Sequence, residues 1–166
     1  VTDDNGIEQD AENIIGSNNS KNPFNGEIEF ILQNGDKSPL GNKDIIYNAI
    51  SHSSSDISLN TTNGVITVSK SMKAMITYAT TARITENFYG NFFHKLQKST
   101  DNGVSWSDVP NSQFSGHVAK ASYGKSTSTG VIILDLSQND QLKVQANACH
   151  LNNENNDNDK VFITKD

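Results

Sequence analysis

The chain has 166 residues, near the usual size of one domain and enough to bury a core. Hydrophobic residues make up 34% and charged residues 19%, leaving a polar, uncharged balance of Asn, Ser and Thr that favours short strands and turns over helices. A net charge of −6, with 13 scattered cations, excludes the basic face that nucleic acid requires, and apolar runs of about five residues (Val131–Leu134, with Leu136 beyond Asp135) exclude a helical bilayer span.

No apolar stretch with a basic flank marks an N-terminal signal, which fits a chain trimmed before Val1, or one released by lysis or within a particle. Cys149 is the single cysteine, so an internal disulfide and a multi-cysteine metal site are excluded. It continues a strand pattern and is expected as a small core residue.

Residues 1–23 are acidic and rich in Asn and Ser, with only Ile7, Ile14 and Ile15 as apolar anchors. They are expected to form a flexible linker or the end of a stalk, leading into a head domain over 24–166. Ile28, Phe30 and Leu32 alternate with polar positions and predict a half-buried strand. Short strands are expected over 44–50 and 56–60. Asn63-Gly64 then predicts a turn, because both residues tolerate positive φ. Strands follow over 65–68 and 73–84, with Ala74, Ile76, Tyr78 and Ala82 on one face of the second.

The pattern continues with a long strand over 88–98, carrying Phe88, Phe92 and Leu96 on one face. A turn at Asp101-Asn102-Gly103 is answered by Trp106–Val109 and Phe114–Ala121 as hairpin partners. Gly130–Leu136 is nearly all apolar, as expected of a central strand covered on both sides. Gln138-Asn139-Asp140 turns it into 141–148, where Leu142, Val144, Ala146 and Ala148 alternate, and Val161–Thr164 closes the chain. Nine or ten short strands with no helix predict an all-β sandwich or barrel, and a jelly roll accommodates a terminal strand so close to the chain end.

Asp56–Ser71 (DISLNTTNGVITVSKS) followed by Met75-Ile-Thr-Tyr78 resembles the globular heads of the complement and tumour-necrosis-factor superfamily, most closely their bacterial and phage members. Ser128–Gln145 (STGVIILDLSQNDQLKVQ) is similar to the paired strands of those heads, and Lys160–Thr164 fits their final strand. The resemblance covers residues 27–166. It implies a jelly-roll β-sandwich of about ten strands assembled as a homotrimer, usually at the tip of a stalk, as in virion spikes, spore-surface filaments and secreted ligands.

Ser99-Thr-Asp-Asn-Gly-Val-Ser-Trp106 fits the Asp-box pattern known from sialidases and other sugar-active propellers. One copy leaves no room for several blades, so it is expected to staple a hairpin. Asp101 would accept bonds from loop N–H groups and a hydroxyl, Gly103 would supply positive φ, and Trp106 would cover the hairpin. In the acidic loop 152–159, Asn155, Asp157 and Asp159 alternate so that their oxygens could converge on calcium, although Lys160 rules out an EF-hand. A solvated loop is the plainer expectation.

His52, His94, His117 and His150 fall into no catalytic or metal-binding spacing. A threefold axis would be needed to gather copies of one of them around an ion. Glu27 and Glu29 on one strand cannot flank a sugar bond from opposite sides, and read better as an edge-strand charge pair.

The expected function is therefore non-catalytic: a trimeric surface head of a phage, virus or spore, extracellular or on a particle, that binds a host receptor or glycan or decorates a capsid or stalk protein. Its binding loops are expected at the distal end, with the 152–159 loop and the Asp-box hairpin as candidates. The alternative is a carbohydrate-binding sandwich module with Trp106, Tyr89 and Tyr123 as an aromatic platform.

Overall fold

The computed structural model describes residues 28–32, 41–47, 54–84, 89–118, 124–150 and 159–164. Every regular element among them is a strand: β1 (Ile28–Leu32), β2 (Lys43–Ile45), β3 (Ile57–Asn60), β4 (Val65–Val68), β5 (Met72–Ile84), β6 (Gly90–Ser99), β7 (Ser107–Asp108), β8 (Phe114–Val118), β9 (Lys125–Leu136), β10 (Gln141–His150) and β11 (Asp159–Thr164). Among these residues no helix is long and apolar enough to cross a membrane.

The strands form two antiparallel sheets. One has the order β1-β11-β5-β9; the other runs β3-β4-β10-β6-β7, with β2 also on β10 and β8 also on β6. From β4 the chain crosses to β5, returns to β6 and β8, crosses to β9, returns to β10 and ends in β11. This alternation between facing sheets makes the sandwich a jelly roll.

Period-2 patterning drives the burial. On β10, Leu142, Val144, Ala146 and Ala148 are buried while Gln141, Lys143, Gln145 and Asn147 face outward. The main core joins Val144, Ala146 and Ala148 to Phe30, Tyr78, Ala82, Ile84, Phe92, Leu96, Val118, Val161 and Ile163, and a smaller cluster of Val68, Leu136 and Leu142 closes one end. Cys149 is buried as well.

The long ladder of β6 and β10 defines the two ends of the molecule. Ser99 pairs with Gln141 at one end and Gly90 with His150 at the other. The 99–106 segment and the 137–140 turn lie at the first end. Val118, Lys125 and Ile84 lie at the second, where the chain passes between the sheets.

Three expectations change. The strand expected over 44–50 pairs with β10 over Lys43–Ile45 only, Tyr47 makes a separate bridge, and 48–50 lie outside the described residues. Its partner residues explain the stop: Ile45 already pairs with Val144, and further along β10 Leu142 is taken by Ile66 of β4. Two short strands thus share one side of β10, and β7 and β8 share one side of β6, which raises the count to eleven.

The Asn63-Gly64 turn places only Gly64 at positive φ (72°). A Cβ there would lie 2.5 Å from the Ile45 carbonyl oxygen, so close approach as well as φ demands glycine.

The largest change concerns β9. It is not a central strand covered on both sides but the edge of the four-stranded sheet, with Val131, Ile133 and Asp135 exposed. An apolar run tells how much of a strand avoids water, but not whether its own chain supplies the second cover.

Candidate functional site

The outward face of β5 and β9 is the main apolar surface among the described residues. Lys73 pairs with Asp135, Met75 with Ile133, Thr77 with Val131, Ala79 with Thr129 and Thr81 with Thr127. Met75 and Val131 are each 53% exposed and Ile133 is 64% exposed, so three neighbouring side chains present a continuous apolar patch to water. The Lys73–Asp135 ion pair (3.0 Å) borders it on one side; the Thr81–Thr127 hydroxyl contact (2.7 Å) lies on the other. Beyond the threonines, the Arg83 guanidinium lies over the Phe162 ring at 4.2 Å. An apolar centre inside a polar and charged border is the anatomy of a protein interface.

The 99–106 hairpin is built by local bonds. Ser99 Oγ and the Ser105 N–H donate to Asp101 Oδ1 at 2.7 and 2.9 Å, and Ser105 Oγ donates to Oδ2. The Gly103 N–H donates to Ser99 Oγ (2.9 Å), and Trp106 Nε1–H donates to the Gly103 carbonyl (3.1 Å). Asn102 and Gly103 take positive φ of 57° and 84°. The Ser105 bonds, with help from Ser99, hold the Asp101 carboxyl down at about 2. Val104 at the tip is 84% exposed. Trp106 is half-buried, with the Lys143 ammonium 4.5 Å from its ring centroid, so this ring is a wall of the hairpin.

The outward face of the other sheet is a polar ladder. Asp44 accepts from Lys143 (3.0 Å) and Gln145 (2.6 Å), while Asp108 accepts from Lys95 (2.7 Å) and Gln97 (2.9 Å). The bonds from Lys95 and then Gln97 lower the Asp108 pKa. These charges neutralise one another in pairs.

Tyr89 stacks on His117 with ring centroids 5.9 Å apart, near Gly90. It therefore lies at the opposite end of β6 from Trp106, roughly 30 Å away at about 3.3 Å per residue. The two do not share a platform, and Tyr123 lies outside the described residues.

The two candidate binding loops also separate. The 152–159 loop is rooted at His150 and Asp159, at the Gly90 end, whereas the 99–106 hairpin sits at the Ser99 end. Asn155 and Asp157 lie outside the described residues, as do Glu27, His52, Phe88 and the 1–23 linker; the side chains of Glu29 and Asp159 do too. Among the described residues no three His, Cys, Asp or Glu side chains cluster as a cation site requires.

One polar cluster has no local sequence signal. His94, 1% exposed, points between the sheets, with Nδ1 2.9 Å from Thr80 Oγ1 on β5 and Nε2 3.1 Å from Ser128 Oγ on β9. Ser128 Oγ donates to the Ser115 carbonyl (3.0 Å), and the Tyr78 hydroxyl donates to the Ser112 carbonyl. Burial lowers the His94 pKa to about 4 and raises that of Tyr78 to about 12. A serine beside a histidine is the start of a nucleophilic pair, but here the histidine's other nitrogen meets a threonine hydroxyl instead of a carboxylate, and the cluster is sealed from water. Its partners lie 14 and 34 residues away along the chain, beyond any motif.

No family model matches the chain, and no curated protein matches it. Among solved structures it is similar to the Eiger TNF of S. frugiperda, at 10% identity and a TM-score of 0.47, over 84% of this chain and 92% of that one. At that identity no residue role passes from one chain to the other.

Proposed function

We propose that this chain is a non-catalytic binding head that self-assembles as a homotrimer through the outward face of β5 and β9. One observation carries this reading: the longest apolar run of the sequence, Val131–Leu134, lies at a sheet edge with Val131 and Ile133 in water. Long exposed edges with apolar side chains are sites of association unless charge or a bulge blocks them, and β9 carries neither across its centre. A second and third copy provide the cover that the sequence pattern anticipates, in a closed assembly.

Strand direction says which end would face outward. β1 runs toward Leu32 and the Gly90 end, and β11 runs away from it, so the N-terminus of β1 and the C-terminus of β11 both point toward the Asp-box end. Attachment through either terminus, as on a phage, virus or spore stalk, leaves the Gly90–His150 end to meet a receptor or glycan. Three copies would multiply a weak single contact. The jelly-roll fold and the resemblance at 56–80 and 128–145 support this reading.

Native mass at micromolar concentration tests it. A trimer is expected, and Ile133→Asp should convert it to a folded monomer. A wild-type chain that stays monomeric overturns the assembly and leaves the monomeric carbohydrate module as the better account.

A further inference from the structure

Directly behind the assembly face lies the His94 cluster. Thr80 and Ser128 are register partners on β5 and β9 and face inward; their chain neighbours Ala79, Thr81, Thr127 and Thr129 face outward beside Val131. The ring of His94 thus bridges β6 to both strands that carry the face.

Hydrogen-bond accounting assigns the tautomer. Ser128 Oγ spends its hydrogen on the Ser115 carbonyl, so toward His94 it accepts, and Nε2 carries the proton. Nδ1 then accepts from Thr80 Oγ1–H. In this neutral state each donor of the cluster has an acceptor. A second proton, on Nδ1, sets two donors face to face until Thr80 turns away, and it places a positive charge between the sheets.

Among the described residues nothing around the ring compensates that charge. Tyr78 and Thr80 face it from β5, Phe114 from β8 and Ser128 from β9, and its register partner on β10 is Ala146. Tyr78 is the one titratable group among these, and it stays neutral because its phenol is buried. The lysines of β6 and β10 are bonded elsewhere: Lys95 and Lys143 to carboxylates on the outer face, and Lys98, four residues along β6 from His94, to the Asp140 carboxylate. A buried imidazolium without an anion is unfavourable, and the structure relieves it by admitting water.

β9 is the strand that can yield. As an edge it has one ladder partner, β5, and Ser128 ties it across the sandwich to His94 and Ser115. We propose that protonation of His94 is an acid trigger that loosens β9 from the opposite sheet and so takes the trimer apart. This rests on the assembly reading above, because β9 supplies half of that face.

The test compares wild type with His94→Gln, which keeps hydrogen-bonding groups but does not titrate, by native mass and thermal melting at pH 7.5 and 4.5. Wild type should be trimeric at pH 7.5 and monomeric at pH 4.5, with a melting temperature lower by roughly 5–10 °C. His94→Gln should keep its mass and most of its melting temperature in acid. A wild-type trimer unchanged at pH 4.5, or a His94→Gln trimer that dissociates as wild type does, overturns the acid trigger alone. A chain already monomeric at pH 7.5 overturns the assembly reading instead.

If His94→Gln does not fold, NMR titration of the wild-type histidines decides. A His94 resonance held well below the ordinary pKa of about 6.5, shifting as the trimer signals vanish, supports the trigger. One that titrates at the ordinary value in an intact trimer overturns it.

Discussion

Asp101 and His94 show the two ways a single residue organises this chain. Asp101 works through neighbours at i−2 and i+4: its carboxylate accepts from both Ser99 and Ser105, and the loop closes on itself. Such bonds are legible in a motif because they need nothing beyond eight consecutive residues. Asp101→Ala removes the acceptor for the Ser105 N–H and hydroxyl, so the melting temperature should fall while the native mass stays unchanged; calorimetry checks this. Trp106→Ala should also destabilise, by about 2 kcal/mol, because a half-buried indole loses its cover of the hairpin. A fully stable Trp106→Ala protein with lost glycan binding would favour the carbohydrate module. His94 belongs to the opposite case. Its hydroxyl partners come from β5 and β9, and nothing in the residues flanking 94 announces them.

At the scale of elements, alternation made the long strands legible, and competition for partners decided the short ones. β5, β6 and β10 follow their apolar spacing closely, since each long strand has one face in the core. β2 stops early because β4 already holds the adjoining stretch of β10, a constraint set by a segment some 20 residues away. Close approach also selects residues that patterning treats as neutral. A Cβ on Gly130 would lie 2.4 Å from the Phe114 ring and 3.0 Å from Tyr78, the two rings that flank His94. Gly130→Ala should therefore destabilise by about 1–3 kcal/mol through overpacking, read from urea unfolding of the dissociated Ile133→Asp background. An unchanged midpoint would mean that Phe114 swings aside freely. Gly64→Ala combines strain at φ 72° with collision against the Ile45 carbonyl, and its cost should fall on β2 as well as on the β3–β4 turn.

For the whole molecule the acid response should come in two stages. His94 has a folded pKa near 4, below its unfolded value of about 6.5, so the unfolded chain binds the extra proton more readily between those values. Stability is complete above pH 6.5 and falls as the pH drops toward 4, by about 3 kcal/mol in all. Asp101 has its carboxyl depressed to about 2 from 3.8, so its contribution is present above 3.8 and is lost as the pH falls through 2. Chemical unfolding from pH 8 to 2 should show both stages in wild type. His94→Gln should erase the first, and Asp101→Asn should shrink the second.

By itself the sequence determined the all-β class, the inward faces of β5, β6 and β10, the turns at Gly64, Asn102-Gly103 and Asn139, and the local bonding of the 99–106 hairpin. All of these depend on alternation or on bonds between near neighbours, and both are written along the chain. Tertiary structure alone decided the rest. It set β9 at an edge, so that a run expected to be covered twice exposes Val131 and Ile133. It parted Trp106 from Tyr89 along the length of β6, and it brought His94, Thr80 and Ser128 together between the sheets. Strand order and sheet packing are relations between distant segments, and an apolar residue records only its preference to leave water, not which surface takes it in.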